Sequence, residues 1–320
     1  MRFQKTEQFS NVFAALTLVA AGTLAGGTAL AAGKNDAAAT RAEIEKQVGF
    51  VPAHLKAIPE IALPGYWSEL AGLEANPNTA IPCRYKELIG VAVAAQVPCK
   101  ACVTGHAKLA RASGATPAEV SESATMAGLT RHWSTFFNGV QLDEGKFRAE
   151  IKQATDGIKK AMASNTPPPA PLEVADAKSA LADVQQSFGF VPEFLKKFPP
   201  AALPGAWRQM REVEMASETA IPDKYKSLIS LAVASQIPCR YCVIADTEFA
   251  KLGGATDQEI AEAVAMAALL RDESTLVTGL DVHEGTYVRD MDRIAKGIAQ
   301  YNAKHASAPG AKSASATASR

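Results

Sequence analysis

The sequence predicts an all-α protein built as two homologous helical bundles in tandem. Three observations carry that expectation. No stretch alternates apolar and polar residues as a half-buried strand would. Two Thr-x-x-Glu capping boxes, Thr116 to Glu119 and Thr256 to Glu259, each open an apolar-periodic run. The chain also repeats itself at a constant offset of 140 residues.

The repeat is explicit in the residues. Gly49-Phe50-Val51-Pro52 returns as Gly189-Phe190-Val191-Pro192, and Leu63-Pro64-Gly65-x-Trp67 as Leu203-Pro204-Gly205-x-Trp207. Ile81-Pro82, Gln96-x-Pro98-Cys99 and Gly114-Ala115-Thr116 recur in the same register as Ile221-Pro222, Gln236-x-Pro238-Cys239 and Gly254-Ala255-Thr256. A period this long marks a small domain or half-domain, not one hairpin of a solenoid. The composition agrees. A chain of 320 residues has room for two ordinary domains, and 33 basic against 33 acidic residues disfavour a nucleic-acid binder or an acidic tail protein.

In chain order, Arg2 and Lys5 precede an uncharged run from about Val12 to Leu24, and Ala29-Leu30-Ala31 follows. This is the pattern of a secretory signal peptide over residues 1–31, because Gly22, Gly26 and Gly27 dilute the run below the roughly 18 continuous apolar residues a membrane anchor needs. The processed chain is expected to be periplasmic or secreted, off the membrane, where disulfides persist. The first copy is expected over 40–163. Within it, Arg84 to Gln96 reads as an apolar helix, and Pro98 suits the first turn of a second one running to Ser113, where Gly114 supplies a left-handed end. Met126 and Met266 fall on the apolar faces of the helices after the capping boxes. A Pro-rich linker, 164–173, joins the second copy, 174–302, and an Ala/Ser/Lys-rich tail, 303–320, has the composition of disorder.

The chemistry centres on Cys99-Lys100-Ala101-Cys102-Val103-Thr104-Gly105-His106. On a helix Cys99, Cys102 and His106 fall in a sector about 60° wide. Glu87 lies on the preceding helix, and the break at Pro98 lets the two helices fold together. Cysteines at a helix start gain thiolate character from the dipole, and the thiolate attacks peroxides and disulfides. His106 and Glu87 are candidates to move the accompanying proton. Position nearest the helix start favours Cys99 as the more acidic thiol; adjacency to His106 favours Cys102 for proton relay. Two alternatives stand beside redox use: a structural disulfide, worth only about 2 kcal/mol for so short a loop, and a zinc site from Cys99, Cys102, His106 and Glu87. Covalent haem attachment would need His at Val103 or Val243.

Glu87, Cys99-x-x-Cys102 and His106, with Tyr85 to Ala94 and Gly114-Ala115-Thr116 around them, resemble the signature of the alkylhydroperoxidase D-like (AhpD-like) core of the carboxymuconolactone decarboxylase superfamily. The resemblance extends over most of each copy. It implies an all-helical, oligomerising fold with thiol-dependent peroxidase activity. By that motif Cys102 is the peroxidatic thiol, Cys99 its disulfide partner, and Glu87 and His106 the proton relay.

The second copy keeps Cys239 and Cys242 but has Ser227 in place of Glu87 and Asp246 in place of His106. It reads either as a packing partner stapled by an inert disulfide or as a second redox pair that exchanges electrons with the first. Cys83 has no cysteine counterpart, since Asp223 replaces it, and reads as a buried inert thiol first, with a free thiol or an intermolecular link as the alternatives. Arg131 and Arg271 read as structural ion-pair residues, Trp67 and Trp207 as core anchors, and His54, His132, His283 and His305 carry no supporting constellation.

The functional expectation is therefore an exported peroxidase taking a hydroperoxide substrate and electrons from a thiol reductant protein, with no cofactor and no metal. A periplasmic thiol–disulfide oxidoreductase, a non-redox decarboxylase-like enzyme and a catalytically silent assembly module are the alternatives. Six single cores in small relatives, as the resemblance implies, would become three tandem chains, so a homotrimer is expected, with a compact paired unit as the fallback.

Overall fold

The computed structural model describes residues 36–164, 167 and 169–306, and among them there are helices and no strand. The expected signal peptide, and most of the expected tail, lie outside the described residues. The first copy comprises α1 (Ala37–Val48), α2 (Ala53–Ala57), α3 (Leu63–Gly72), α4 (Cys83–Gln96), α5 (Lys100–Ala112), α6 (Pro117–Gly139) and α7 (Glu144–Ala163). The second repeats the order as α8 (Ala177–Phe188), α9 (Glu193–Lys197), α10 (Leu203–Gln209), α11 (Asp223–Gln236), α12 (Arg240–Leu252), α13 (Asp257–Gly279) and α14 (Glu284–Ala306), with a π-helical turn over Met210–Glu214 after α10. No described helix is long and apolar enough to cross a membrane.

Local sequence accounts for the helix ends. Both capping boxes are formed, Thr116 with Glu119 and Thr256 with Glu259. Gly114 takes a φ of 97° just beyond α5, a conformation that glycine adopts without a Cβ clash. One expectation shifts: Pro98 lies outside α5, which begins at Lys100. Cys99 is the N-cap, because its sulfur accepts the Cys102 N–H at 3.2 Å and so fixes where the helix begins.

The two copies are not two separate bundles side by side. Tyr85 on α4 stacks on its own counterpart Tyr225 on α11, ring centroids 3.4 Å apart, and equivalent residues around them (Leu88 and Leu228, Ile89 and Ile229, Met126 and Met266) share one buried cluster. Equivalent residues meeting each other define a pseudo-two-fold axis. The hydrogen bonds obey it too. Glu262 accepts the Ala80 and Ile81 N–H groups, and Glu122 accepts those of Ala220 and Ile221. The last helices also cross over, α14 packing on α5 and α7 on α12, while α6 and α13 lie between the copies and each packs on both α4 and α11. Each cysteine-bearing helix is therefore covered by the other copy.

Trp67 and Trp207 are buried core residues, as their Pro-Gly context suggested, and Trp207 donates to Asp183 at 2.7 Å. Arg131 and Arg271 correct an expectation: they are exposed and form no ion pair among the described residues. They lie on the solvent faces of α6 and α13, where no acidic partner comes within reach. Cys83 is the free cysteine and is partly buried.

Candidate active site

Cys99 and Cys102 form a disulfide, with Cα atoms 5.3 Å apart, at the first turn of α5. One turn on, His106 enters the core against Gly90 of α4. A Cβ added at Gly90 would stand 2.6 Å from the His106 ring, so the absence of a side chain there is what admits the imidazole. His106 Nδ1 lies 2.9 Å from Glu87 Oε2 and 3.7 Å from Glu74 Oε1. Glu273 Oε2, from α13 of the other copy, lies 3.2 Å from Nε2. Tyr287 on α14 donates to the second oxygen of Glu273 at 2.6 Å. Glu74, Glu87, His106 and Glu273 are all buried.

The loop carrying Glu74 is held by a buried cation. Lys86 donates to the Leu73 and Asn76 carbonyls, both at 2.6 Å, and to Thr79 Oγ1 at 2.9 Å. A buried ammonium that finds three oxygens offsets much of its desolvation cost and fixes the loop.

The charges follow from these contacts. Burial alone would lower the His106 pKa, but its hydrogen bonds to Glu273 and Glu87 outweigh that and raise it well above the ordinary histidine value. His106 is therefore an imidazolium donating from both nitrogens, and neither nitrogen is free to accept a proton. Burial pushes Glu273 up, yet its bond to His106 and that cation's charge bring it down to about 2. Glu74 goes the other way, to about 8, through burial first and the Glu87 charge second. One neutral carboxyl thus stands beside an ionised ion pair. Near it, His54 Nδ1, Tyr66 Oη and Glu74 Oε2 are buried without a hydrogen-bond partner. Burial lowers the pKa of His54, and its ring sits 5.3 Å from that of Tyr287.

Of the residues singled out in the sequence, the structure brings Cys99 and Cys102 into one disulfide and Glu87 and His106 into one hydrogen bond. With the cysteines bonded to each other, the four-residue zinc set is not available. Glu74, Glu87 and His106 do bring ligand-type atoms within 4.8 Å of one another, but an imidazolium hydrogen-bonded through both nitrogens has no lone pair to give a cation. Glu74, Glu273, Tyr287 and His54 were missed. Glu74 had a signal, since Glu214 repeats it. So did Glu273, an acid in the apolar stripe of Met266, Leu269, Leu270 and Val277. Tyr287 and His54 had none, because their counterparts are Phe147 and Phe194.

The second site has the same backbone plan and different contents. Cys239 and Cys242 form a disulfide, Cα atoms again 5.3 Å apart. Around it Asp246, Ser227, Ser230, Trp133 and Phe147 stand where the first site has His106, Glu87, Gly90, Glu273 and Tyr287. Glu214 matches Glu74. Burial raises Asp246 well above the carboxylate range, and burial raises Glu214 to about 7. In place of the ion-pair cluster there is a cavity of about 340 Å³, with Cys242 and Asp246 in its wall.

Fold and site together define a helical thiol–disulfide protein with paired repeats, one of them holding a buried acid–imidazolium cluster. The chain belongs to the carboxymuconolactone decarboxylase family, whose family model matches it twice, over residues 62–144 and 201–282. No curated protein and no solved structure matches the chain.

Proposed function

We propose that the protein is an exported thiol-dependent peroxidase that cycles Cys99 and Cys102 between dithiol and disulfide. The observation that carries this reading is the position of the disulfide, one helical turn from an imidazolium that links Glu87 to Glu273 and Tyr287. The Cys102 thiolate attacks the terminal oxygen of a hydroperoxide. An S–O bond forms, the O–O bond breaks, and the departing alkoxide takes a proton from the cluster, where Glu74 holds one near neutral pH. Cys99 then attacks the sulfenic acid, the disulfide forms and water leaves. A dithiol reductant protein returns two electrons and two protons by thiol–disulfide exchange. The unpartnered His54, Tyr66 and Glu74 atoms supply polar contacts that a peroxide could use.

The test is direct. The reduced mature chain receives one equivalent of cumene hydroperoxide, and peptide mass mapping should find Cys99 joined to Cys102; unchanged thiols would sink the reading. The same reading includes processing after Ala31, checked by the amino terminus of the exported chain, and assembly of three paired units into a trimer, checked by light scattering.

A non-redox acid–base enzyme is the second reading. It is favoured by Glu74, a neutral carboxyl set beside an ionised cluster that needs no cysteine. It requires Cys102→Ser to stay active, which the peroxidase reading forbids.

A further inference from the structure

The cavity of the second copy is lined by apolar and aromatic side chains, including Phe137, Phe147, Phe249 and Met162. At about 340 Å³ it lies in the size range of sites that hold small organic molecules. Three polar groups in its wall have an unpartnered buried atom: Trp133 Nε1, Ser230 Oγ and Asp246 Oδ2. An indole N–H can only donate. A serine hydroxyl can donate, and so can a carboxyl that keeps its proton. Burial and the nearby Glu214 charge keep that proton on Asp246. The wall also carries carboxylates, but Glu150 accepts the Glu193 N–H, Asp223 pairs with Lys226 and Glu214 feels the same lysine's charge, so the buried polar atoms left without a partner in this wall are these three donors.

Leaving such donors unsatisfied is costly, and native interiors rarely do so. Helix spacing explains why there is room. In the first site Gly105 lets α14 close onto α5, so tightly that an added Cβ would meet Tyr287 at 2.8 Å and Met291 at 2.9 Å. At the matching contact the second site has Ala245, with Phe147 and Ile151 in place of Tyr287 and Met291, and its methyl accounts for the looser packing of α7 on α12 than of α14 on α5.

We propose that this cavity is a binding site for a small apolar molecule bearing a carbonyl-type hydrogen-bond acceptor, its body on the aromatic wall and its oxygen on the Trp133, Ser230 and Asp246 donors. An amine is the poorer head, because an ammonium offers no acceptor to these three unpartnered donors. The inference is independent of the peroxidase reading: it concerns binding to the oxidised chain and involves no electron transfer.

Three probes of one shape decide it: 2-acetylnaphthalene, 2-ethylnaphthalene and 1-(2-naphthyl)ethylamine, each titrated calorimetrically into the oxidised mature chain. The ketone should bind at least about fivefold tighter than the hydrocarbon, the difference one or two hydrogen bonds make, and the amine weakest. Trp133→Phe, which keeps the ring, should cut the ketone's advantage, and Asp246→Leu added to it should abolish the advantage while the hydrocarbon still binds. Ala154→Trp, which fills the cavity, should remove binding of all three. No measurable binding, equal affinity of ketone and hydrocarbon, a preference for the amine, or an advantage that survives in the double variant would each overturn the proposal. If the double variant loses its helical circular dichroism, the probe ranking in the unaltered chain and the Ala154→Trp result decide.

Discussion

The first and second cysteine sites share a backbone, a disulfide and one acid, Glu74 or Glu214, and differ in nearly everything that touches that acid. In the first, His106 is clasped by Glu87 from its own copy and Glu273 from the other. In the second, the residues at those three places are Asp246, Ser227 and Trp133. The substitutions are mutually consistent. Once the imidazole is gone its two carboxylate partners would be buried charges without a cation, a costly arrangement, and neither is kept. Gly90 becomes Ser230 because no ring needs the space. The lesson is that the acid–imidazolium cluster changes as a unit, and that its members come from both copies because α13 bridges the copies and α14 crosses onto α5.

The first way to break the comparison has the largest effect. Cys102→Ser should abolish peroxide turnover, a loss of at least about a thousandfold in kcat/KM, since the attacking thiol is removed and Cys99 is left without its disulfide partner. Gly90→Ser, which installs the second site's residue, should come next. The new side chain must occupy space that His106 fills, so His106 is pushed off Glu87. We expect a loss of about a hundredfold, the usual worth of a positioned acid–base group, with the disulfide still forming on chemical oxidation. Turnover within threefold of the unaltered protein would show that His106 is not needed.

Much of this was legible in the residues. The repeat was readable from the constant offset between the copies, and both capping boxes, the helix break near Pro98 and the pairing of Glu87 with His106 from spacing within one copy. The crossover was not, since sequence separation says nothing about whether α14 covers α12 of its own copy or α5 of the other. Glu273 and Tyr287 were lost with it. Arg131 and Arg271 differ for another reason: identity between copies implies a shared backbone position but not a shared ion pair, and both side chains are exposed.

Gly105→Ala sharpens the comparison from the packing side. Its methyl would meet Tyr287 and Met291 at under 3 Å, forcing α14 off α5 toward the looser packing of α7 on α12 at Ala245. A loss of about 1–3 kcal/mol in urea unfolding is expected, typical of an extra methyl in a filled core.

Glu74→Gln tests the neutral carboxyl through pH. Folding raises this group from an ordinary 4.5 to about 8, so the stability it contributes is full below its unfolded value and declines as pH rises from about 4.5 to about 8. The variant carries no titrating proton there. Its Tm should match the unaltered protein near pH 4 and exceed it at pH 9 by at least about 3 °C. Parallel Tm profiles across that range would mean Glu74 is ionised in the fold.

The smallest effect should come from Cys242→Ser. Its sulfur lies in a site with no imidazolium, beside an acid that keeps its proton, so a thiolate there has neither a cation to stabilise it nor a relay to serve it. Removing it also leaves the first site's contacts intact: Glu273 and Tyr287 come from α13 and α14, whereas Cys242 lies on α12 against α7. Turnover within about twofold of the unaltered protein is therefore expected at saturating chemical dithiol, because the relay that carries the acid–base factor is untouched. Short loops contribute little through disulfide closure, about 2 kcal/mol here, so a modest drop in Tm should accompany it. A loss of turnover equal to that of Cys102→Ser would mean electrons pass through the second disulfide, and the two sites would then be successive stations of one path instead of one reactive and one remodelled copy.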